Sequence, residues 1–168
     1  MYKILIVDDE SIEREGISFL IEKYKLPLEV AQATNGKTAL EYMRTHPIDI
    51  LLTDVKMPQM DGLELARHTF EKYPDVRILV FSAYGEFEFA KKAMAAQAVS
   101  YLLKPIEVDE FQRVMAQILA QCDELAEKKK DEQQRGEEYR QQLLFRLVTG
   151  TGLGKAHSTE ELFPGQAL

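Results

Sequence analysis

The sequence predicts an α/β fold: a doubly wound, five-stranded parallel sheet followed by a C-terminal helical extension. Short apolar runs alternate along the chain with segments of helical periodicity, which is typical of repeated strand–helix units. Three of the runs are apolar almost throughout, as expected of strands that helices cover on both faces. Because crossover connections between parallel strands are right-handed, five such units are restricted to the doubly wound arrangement.

The apolar runs define the predicted strands. They span Lys3 to Val7, Leu28 to Ala33, Ile48 to Thr53, Val76 to Phe81 and Ser100 to Leu103. Each is bounded by polar residues or by a helical pattern, so the sequence predicts one strand in each run.

The segments between the strands predict four helices. The expected sheet-facing stripes are Ile12, Gly16, Phe19 and Leu20 in the first helix, Ala39, Leu40 and Met43 in the second, and Leu65, Ala66 and Phe70 in the third. Asp61, followed three positions later by Glu64, has the spacing of a capping box and predicts the start of the third helix. The fourth helix is expected from about Phe87 to Ala96.

From Val108 the apolar spacing changes to alternating steps of four and three. This seam predicts a packed or coiled helix, and it consists of Phe111, Met115, Ile118, Cys122 and Leu125. A charge run then interrupts the seam, which leaves two interpretations open: a solvated helix face or a dimerising linker. We therefore expect a domain over 1–125, a charged helical linker and candidate coiled coil over 126–150, and a flexible tail over 151–168.

Composition excludes several functional classes. The 168 residues carry a net charge of −7, and residues 1–120 and 121–168 each carry more acidic than basic side chains, so we expect no direct nucleic-acid binding by this segment. No apolar run approaches the roughly 18 to 20 residues of a membrane-spanning helix, so no membrane association is expected. The single cysteine, Cys122, excludes an internal disulfide and agrees with a cytoplasmic location.

Polar side chains follow four of the predicted strands at one edge of the sheet. They are Asp8 and Asp9, Asp54, Ser82, and Lys104. Ligand sites in such sheets lie beyond the carboxyl ends of the strands. Clustered acids repel one another unless a cation neutralises them, and Mg²⁺ prefers carboxylate and carbonyl oxygens, so Asp9 and Asp54 predict a magnesium site. Asp54 could also accept a phosphoryl group as an aspartyl-phosphate, with Lys104 and the Ser82 hydroxyl contacting its oxygens.

Four motifs resemble the receiver domain of two-component response regulators: VDDE at 7–10, LLTDVKMPQMDG at 51–62, VFSA at 80–83 and YLLKP at 101–105. The resemblance covers about residues 2–125, and the order and spacing of the motifs make it specific. It implies the flavodoxin-like strand order 2-1-3-4-5.

The resemblance also implies a role for each motif residue. Asp54 would be the phosphorylation site, and the metal ligands would be Asp8, Asp9, Asp54 and the Lys56 carbonyl. Ser82 and Lys104 match the hydroxyl and the lysine that grip the phosphoryl group. Tyr101 matches the aromatic that changes rotamer on activation, unless it is simple half-buried packing, and the Lys104–Pro105 peptide is expected to be cis.

The implied function is a phosphorylation-controlled switch, not a turnover enzyme, with a sensor histidine kinase as partner and Mg²⁺ as cofactor. A phosphohydrolase would place a second acid two positions after the nucleophile, where this chain has Lys56. A flavin-binding module would need a phosphate cradle after the first strand, where this chain is acidic.

The stretch EFEFAKKAMAAQAVSYLLKP resembles receivers whose chains continue into an AraC-type DNA-binding domain. Such a domain is not recognisable in these residues, so we expect either a fragment of a transcriptional regulator or a stand-alone receiver that acts by protein contacts. A homodimer is expected through the face of the fourth helix, fifth strand and fifth helix, or through the C-terminal helix. Bulky Lys56 and Tyr84 flank the expected path of attacking water, which predicts a long-lived phosphoryl group unless both side chains point to solvent.

Overall fold

A computed structural model describes residues 1–95, Gln97 and 99–150. The elements in chain order are β1 (Tyr2–Val7), α1 (Ser11–Lys23), β2 (Leu28–Ala33), α2 (Gly36–Thr45), β3 (Ile50–Asp54), α3 (Gly62–Lys72), β4 (Arg77–Ala83), α4 (Tyr84–Ala93), β5 (Val99–Lys104) and α5 (Val108–Thr149). The five predicted strands are all present, with ends that differ by no more than two residues. The tail predicted for 151–168 lies outside the described residues.

The five strands form one parallel sheet in the order β2-β1-β3-β4-β5. The predicted fold class and strand order are therefore confirmed. The order reverses between β1 and β3, where the carboxyl ends of these strands leave a crevice, and β1 ends immediately before Asp8 while β3 ends at Asp54.

Helices cover both faces of the sheet. On one face, side chains of α1 and α5 pack with the strands in a cluster that includes Ile17 and Phe111. On the other face, two clusters join the strands to α2, α3 and α4. The central strands are buried on both faces, which explains why their sequences are apolar almost throughout.

The predicted sheet-facing stripe of α1 is mostly wrong, although Leu20 packs against the sheet cluster as predicted. Ile12 is 73% exposed and Phe19 is 60% exposed, whereas Ile17 and Ile21 are buried against the sheet. The helix carries apolar residues on more than one side, so periodicity alone could not select the buried face. Its rotation is supported by bonds to β2: the Arg14 side chain donates to Gln32, whose side-chain amide donates to the Ser18 hydroxyl.

Two further helix predictions need correction. In α3, Leu65 and Ala66 are buried as predicted, but Phe70 is 42% exposed and Thr69 takes the buried position. Helix α4 begins directly after β4, at Tyr84 instead of Phe87, and ends at Ala93, where the backbone N–H of Met94 bonds to Ala90.

The helix caps combine one predicted and one unexpected arrangement. The Asp61 side chain accepts from the Glu64 backbone N–H at 2.8 Å, as predicted. The complete capping box lies instead at the start of α2, where the Asn35 side chain accepts from the Thr38 N–H and the Thr38 hydroxyl accepts from the Asn35 N–H.

The chain divides into two compact units, Met1–Cys122 and a second that begins at Asp123. Within the first unit, the seam of α5 is buried in the sheet cluster through Phe111, Met115, Ile118 and Cys122. Within the second unit, α5 continues to Thr149 with mostly exposed side chains. Among the described residues, no helix combines the length and the hydropathy needed to cross a bilayer.

Candidate functional site

The strand ends bring two acids and one lysine together in a buried pocket. The Lys104 ammonium nitrogen lies 3.3 Å from Asp54 Oδ1 and 3.6 Å from Asp8 Oδ2. Asp8 is 1% exposed and Asp54 is 7% exposed, whereas Asp9 is exposed at the rim. The pocket therefore holds two nearly dehydrated carboxylates that share one ammonium group.

Backbone groups hold both buried carboxylates. The Val55 N–H donates to Asp54 Oδ1, and the Glu10 N–H donates to Asp8 Oδ1, each at 2.9 Å. The loop after β3 is tied down because the Gly62 N–H donates to the Val55 carbonyl at 2.8 Å. A Cβ atom at Gly62 would lie only 1.7 Å from the Asp54 carbonyl oxygen, so the close approach of α3 to β3 requires glycine.

Arg14 lies beside the pocket and was not predicted from the sequence. Arg14, on α1, donates to the Asp8 carbonyl oxygen at 2.5 Å, and Gln32 accepts from its Nε at 3.1 Å. This guanidinium braces the turn that carries the acidic pair. No sequence motif predicts this contact, because it joins Arg14 of α1 to Asp8, which follows the end of β1.

Burial dominates the electrostatics of the pocket. It raises the pKa of Asp54 to about 6, although the nearby Lys104 ammonium opposes the shift, and it also raises the pKa of Asp8. For Lys104, burial alone would lower the pKa, but the charges of Asp54 and Asp8 together outweigh it and raise the pKa of the amine. The lysine therefore stays cationic, while the carboxylates lack enough positive charge to balance them.

The acidic cluster suits a hard divalent cation. Asp8, Asp9 and Asp54 each offer a carboxylate oxygen, and these oxygens lie within 4.8 Å of one another. Asp8 Oδ2 is buried and has no hydrogen-bond partner among the described residues, so one oxygen is left for a further ligand. Oxygen donors of this kind match the preference of Mg²⁺. The Lys56 carbonyl as a fourth ligand stays a prediction.

The two predicted switch residues lie on β4 and β5, the strands that end in Ala83 and Lys104. Ser82, at the end of β4, is fully buried, and its hydroxyl has no hydrogen-bond partner within the described chain. Tyr101, on β5, is half-buried, and its ring makes an edge contact with Phe87 of α4 at a centroid distance of 6.1 Å. An unpartnered buried hydroxyl is costly, and an incoming acceptor oxygen would satisfy it.

The two residues predicted to cover a phosphoryl group are both exposed. The Lys56 side chain is 85% exposed, with its ammonium 3.9 Å from Glu86 Oε1, and Tyr84 is 82% exposed. This arrangement favours the alternative in which both side chains point to solvent. The Lys104–Pro105 peptide is cis, as expected.

Comparison with known proteins identifies relatives over the region that carries the pocket. Residues 4–116 match the response regulator receiver domain family. The uncharacterized transcriptional regulatory protein YesN of Bacillus subtilis is 41% identical over 122 residues, which are 72% of this chain and 33% of that protein. The chain therefore spans 33% of the length of that curated relative.

Two solved structures are also similar. The two component transcriptional regulator AraC from Clostridium phytofermentans has 35% identity and a TM-score of 0.69, over 74% of this chain and 97% of the solved one. The REC domain of AraT, a response regulator from Geobacillus stearothermophilus, has 38% identity and a TM-score of 0.64. The match covers 76% of this chain and 98% of the solved one.

Proposed function

Because this chain belongs to the response regulator receiver domain family, we propose that it is a phosphorylation-controlled switch that accepts a phosphoryl group on Asp54 from a sensor histidine kinase. One observation carries the proposal: the buried Asp54 carboxylate lies 3.3 Å from the Lys104 ammonium, at the crevice where the strand order reverses. A carboxylate in this position can act as a nucleophile beside a fixed positive charge.

In the proposed reaction an Asp54 carboxylate oxygen attacks the phosphorus of a phosphohistidine. The phosphorus–nitrogen bond breaks, and the imidazole of the kinase leaves with the electron pair of that bond. Lys104 is placed to neutralise charge on the transferring group, and the Ser82 hydroxyl is free to donate to one of its oxygens. A bound Mg²⁺, held by Asp8, Asp9 and Asp54, would supply the remaining charge neutralisation.

The proposed output is transcriptional. The B. subtilis relative and the C. phytofermentans structure are both described as transcriptional regulators, and this chain spans 33% of the former. We propose that the switch acts in the cytoplasm on an output domain or a partner protein. It would act through a homodimer formed by the face of α4, β5 and α5 or by the exposed part of α5, and not by turnover of a substrate.

The phosphoacceptor can be tested by mass spectrometry. Incubation of the chain with acetyl phosphate and Mg²⁺ should add one phosphoryl group, and Asp54→Asn should abolish the addition because an amide is a poor nucleophile. Asp61→Asn is the matched control, since asparagine keeps the cap of α3 and the acceptor is untouched. Labelling of Asp54→Asn at the wild-type level would refute the assignment.

The magnesium site can be tested by titration calorimetry. Asp9→Ala should weaken Mg²⁺ binding roughly tenfold or more, because it removes one of three clustered carboxylates. Glu10→Ala removes an equal charge from the next residue and should have a much smaller effect. Equal losses in the two variants would mean that only the general negative charge matters, which contradicts direct ligation by Asp9.

A further inference from the structure

Phe81 lies on β4, between the strand that ends in Lys104 and the strand that ends in Asp54. In the register of β3, β4 and β5, Phe81 lies opposite Asp54 on one side and Leu102 on the other. Lys104 lies two residues beyond Leu102 and therefore projects from the same face. Because β4 separates the two strands, β3 and β5 are roughly 10 Å apart, and the side chain of Lys104, which lies opposite Ala83 in the register, must cross β4 to reach Asp54.

The lysine does so in contact with the aromatic ring. The Lys104 ammonium nitrogen is 4.4 Å from the centroid of the Phe81 ring, which is 1% exposed, and the lysine side chain is 21% exposed. The five other lysine–ring contacts recorded among the described residues have distances of 5.3 to 5.9 Å. A cation held against a ring in a partly dehydrated site gains more than one on the surface.

We propose that Phe81 is a positioning residue for phosphoryl transfer, a role that rests on the proposed function of the pocket. Its ring attracts the Lys104 ammonium and supports the lysine stem where the side chain crosses β4. This support keeps the ammonium within reach of Asp54 and of the group that Asp54 would receive. An aliphatic residue would keep the position apolar, but it would remove the attraction and leave space beneath the lysine.

The first test measures the rate of labelling by acetyl phosphate with Mg²⁺ present. Phe81→Leu should slow labelling about fivefold, which corresponds to the loss of about 1 kcal/mol of cation–π attraction. Leu79→Val is the matched control, because Leu79 is a buried residue of the same strand, face and cluster but lies opposite Ser100, four residues before Lys104. Its labelling rate should equal that of the wild type even if its stability falls.

A double-mutant cycle separates positioning from general damage to the core. If Phe81 acts through Lys104, Phe81→Leu should cause no further slowing in a Lys104→Ala chain. Additive effects, or an unchanged rate for Phe81→Leu alone, would overturn the proposal. Failure of the wild-type chain to become labelled would instead contradict the proposed function itself.

A second measurement does not depend on the folding of any variant. In the wild-type chain, the ε-methylene protons of Lys104 should show an upfield ring-current shift in the NMR spectrum, together with nuclear Overhauser contacts to the Phe81 ring. Unshifted protons without those contacts would overturn the proposal, because the ring would then not support the lysine.

Discussion

At the scale of single residues, the pocket places Asp54 where its charge is unfavourable. The carboxylate is 7% exposed, and its pKa rises to about 6 because burial outweighs the attraction of Lys104. A raised pKa in the folded state means that the folded chain binds a proton more readily than the unfolded chain. The buried Asp54 carboxylate therefore opposes folding at neutral pH, and a cation that supplies the missing positive charge should be bound favourably.

This imbalance predicts how stability depends on pH in metal-free buffer. The pKa of Asp54 is 3.8 in the unfolded chain and about 6 in the folded chain, so between these pH values the folded state binds more protons. The charged form of Asp54 therefore lowers the stability of the folded state above pH 6. This cost disappears as the pH falls toward 4. Asp54→Asn should consequently be more stable than wild type at pH 8, by up to about 3 kcal/mol, and the gap should close by pH 4. Urea unfolding at the two pH values measures it, and a constant gap would contradict the burial of a charged Asp54.

The sequence identified the acids, the hydroxyl and the lysine of the pocket, but not their supports. Asp8, Asp54 and Lys104 stand at strand ends, and strand ends follow from apolar runs that a sequence shows directly. Arg14 and Phe81 reach the pocket through contacts between different elements. Arg14 of α1 donates to the Asp8 carbonyl, and the Phe81 ring of β4 contacts the Lys104 ammonium. Such contacts depend on helix rotation and strand register, which no local pattern of residue types specifies.

At the scale of secondary structure, strands were predicted more accurately than helix faces. Central strands are buried on both sides, so their position follows from hydrophobicity alone and no face has to be chosen. In α1, by contrast, the exposed residues Ile12 and Phe19 are as apolar as the buried Ile17 and Ile21. In the observed rotation, the Gln32 side chain of β2 accepts a hydrogen bond from Arg14 and donates one to the Ser18 hydroxyl. Packing among the described residues therefore does not explain the apolar side chains on the outer side of α1.

At the scale of the whole molecule, β4 connects the pocket directly to α4, whose outer surface is exposed. Strand β4 ends at Ala83, so Ser82 in the pocket is followed almost at once by the first residue of α4. Helix α4 in turn contacts β5 through the edge contact of Phe87 with Tyr101. A movement of the Ser82 hydroxyl can therefore be transmitted to the surface formed by α4 and β5, both along the backbone and through the packing of Phe87 on Tyr101.

We expect phosphorylation of Asp54 to alter that surface through Ser82 and Tyr101. A new phosphoryl group offers acceptor oxygens to the buried, unpartnered Ser82 hydroxyl, the segment after β4 follows, and the Tyr101 ring moves relative to Phe87. Titration with a phosphate mimic such as beryllofluoride, followed by NMR, should shift signals both in the acid pocket and in 87–93. Ser82→Ala should retain the pocket shifts and lose those in α4, because the alanine side chain cannot donate a hydrogen bond. Shifts in α4 that persist in Ser82→Ala would show that the surface responds by another route.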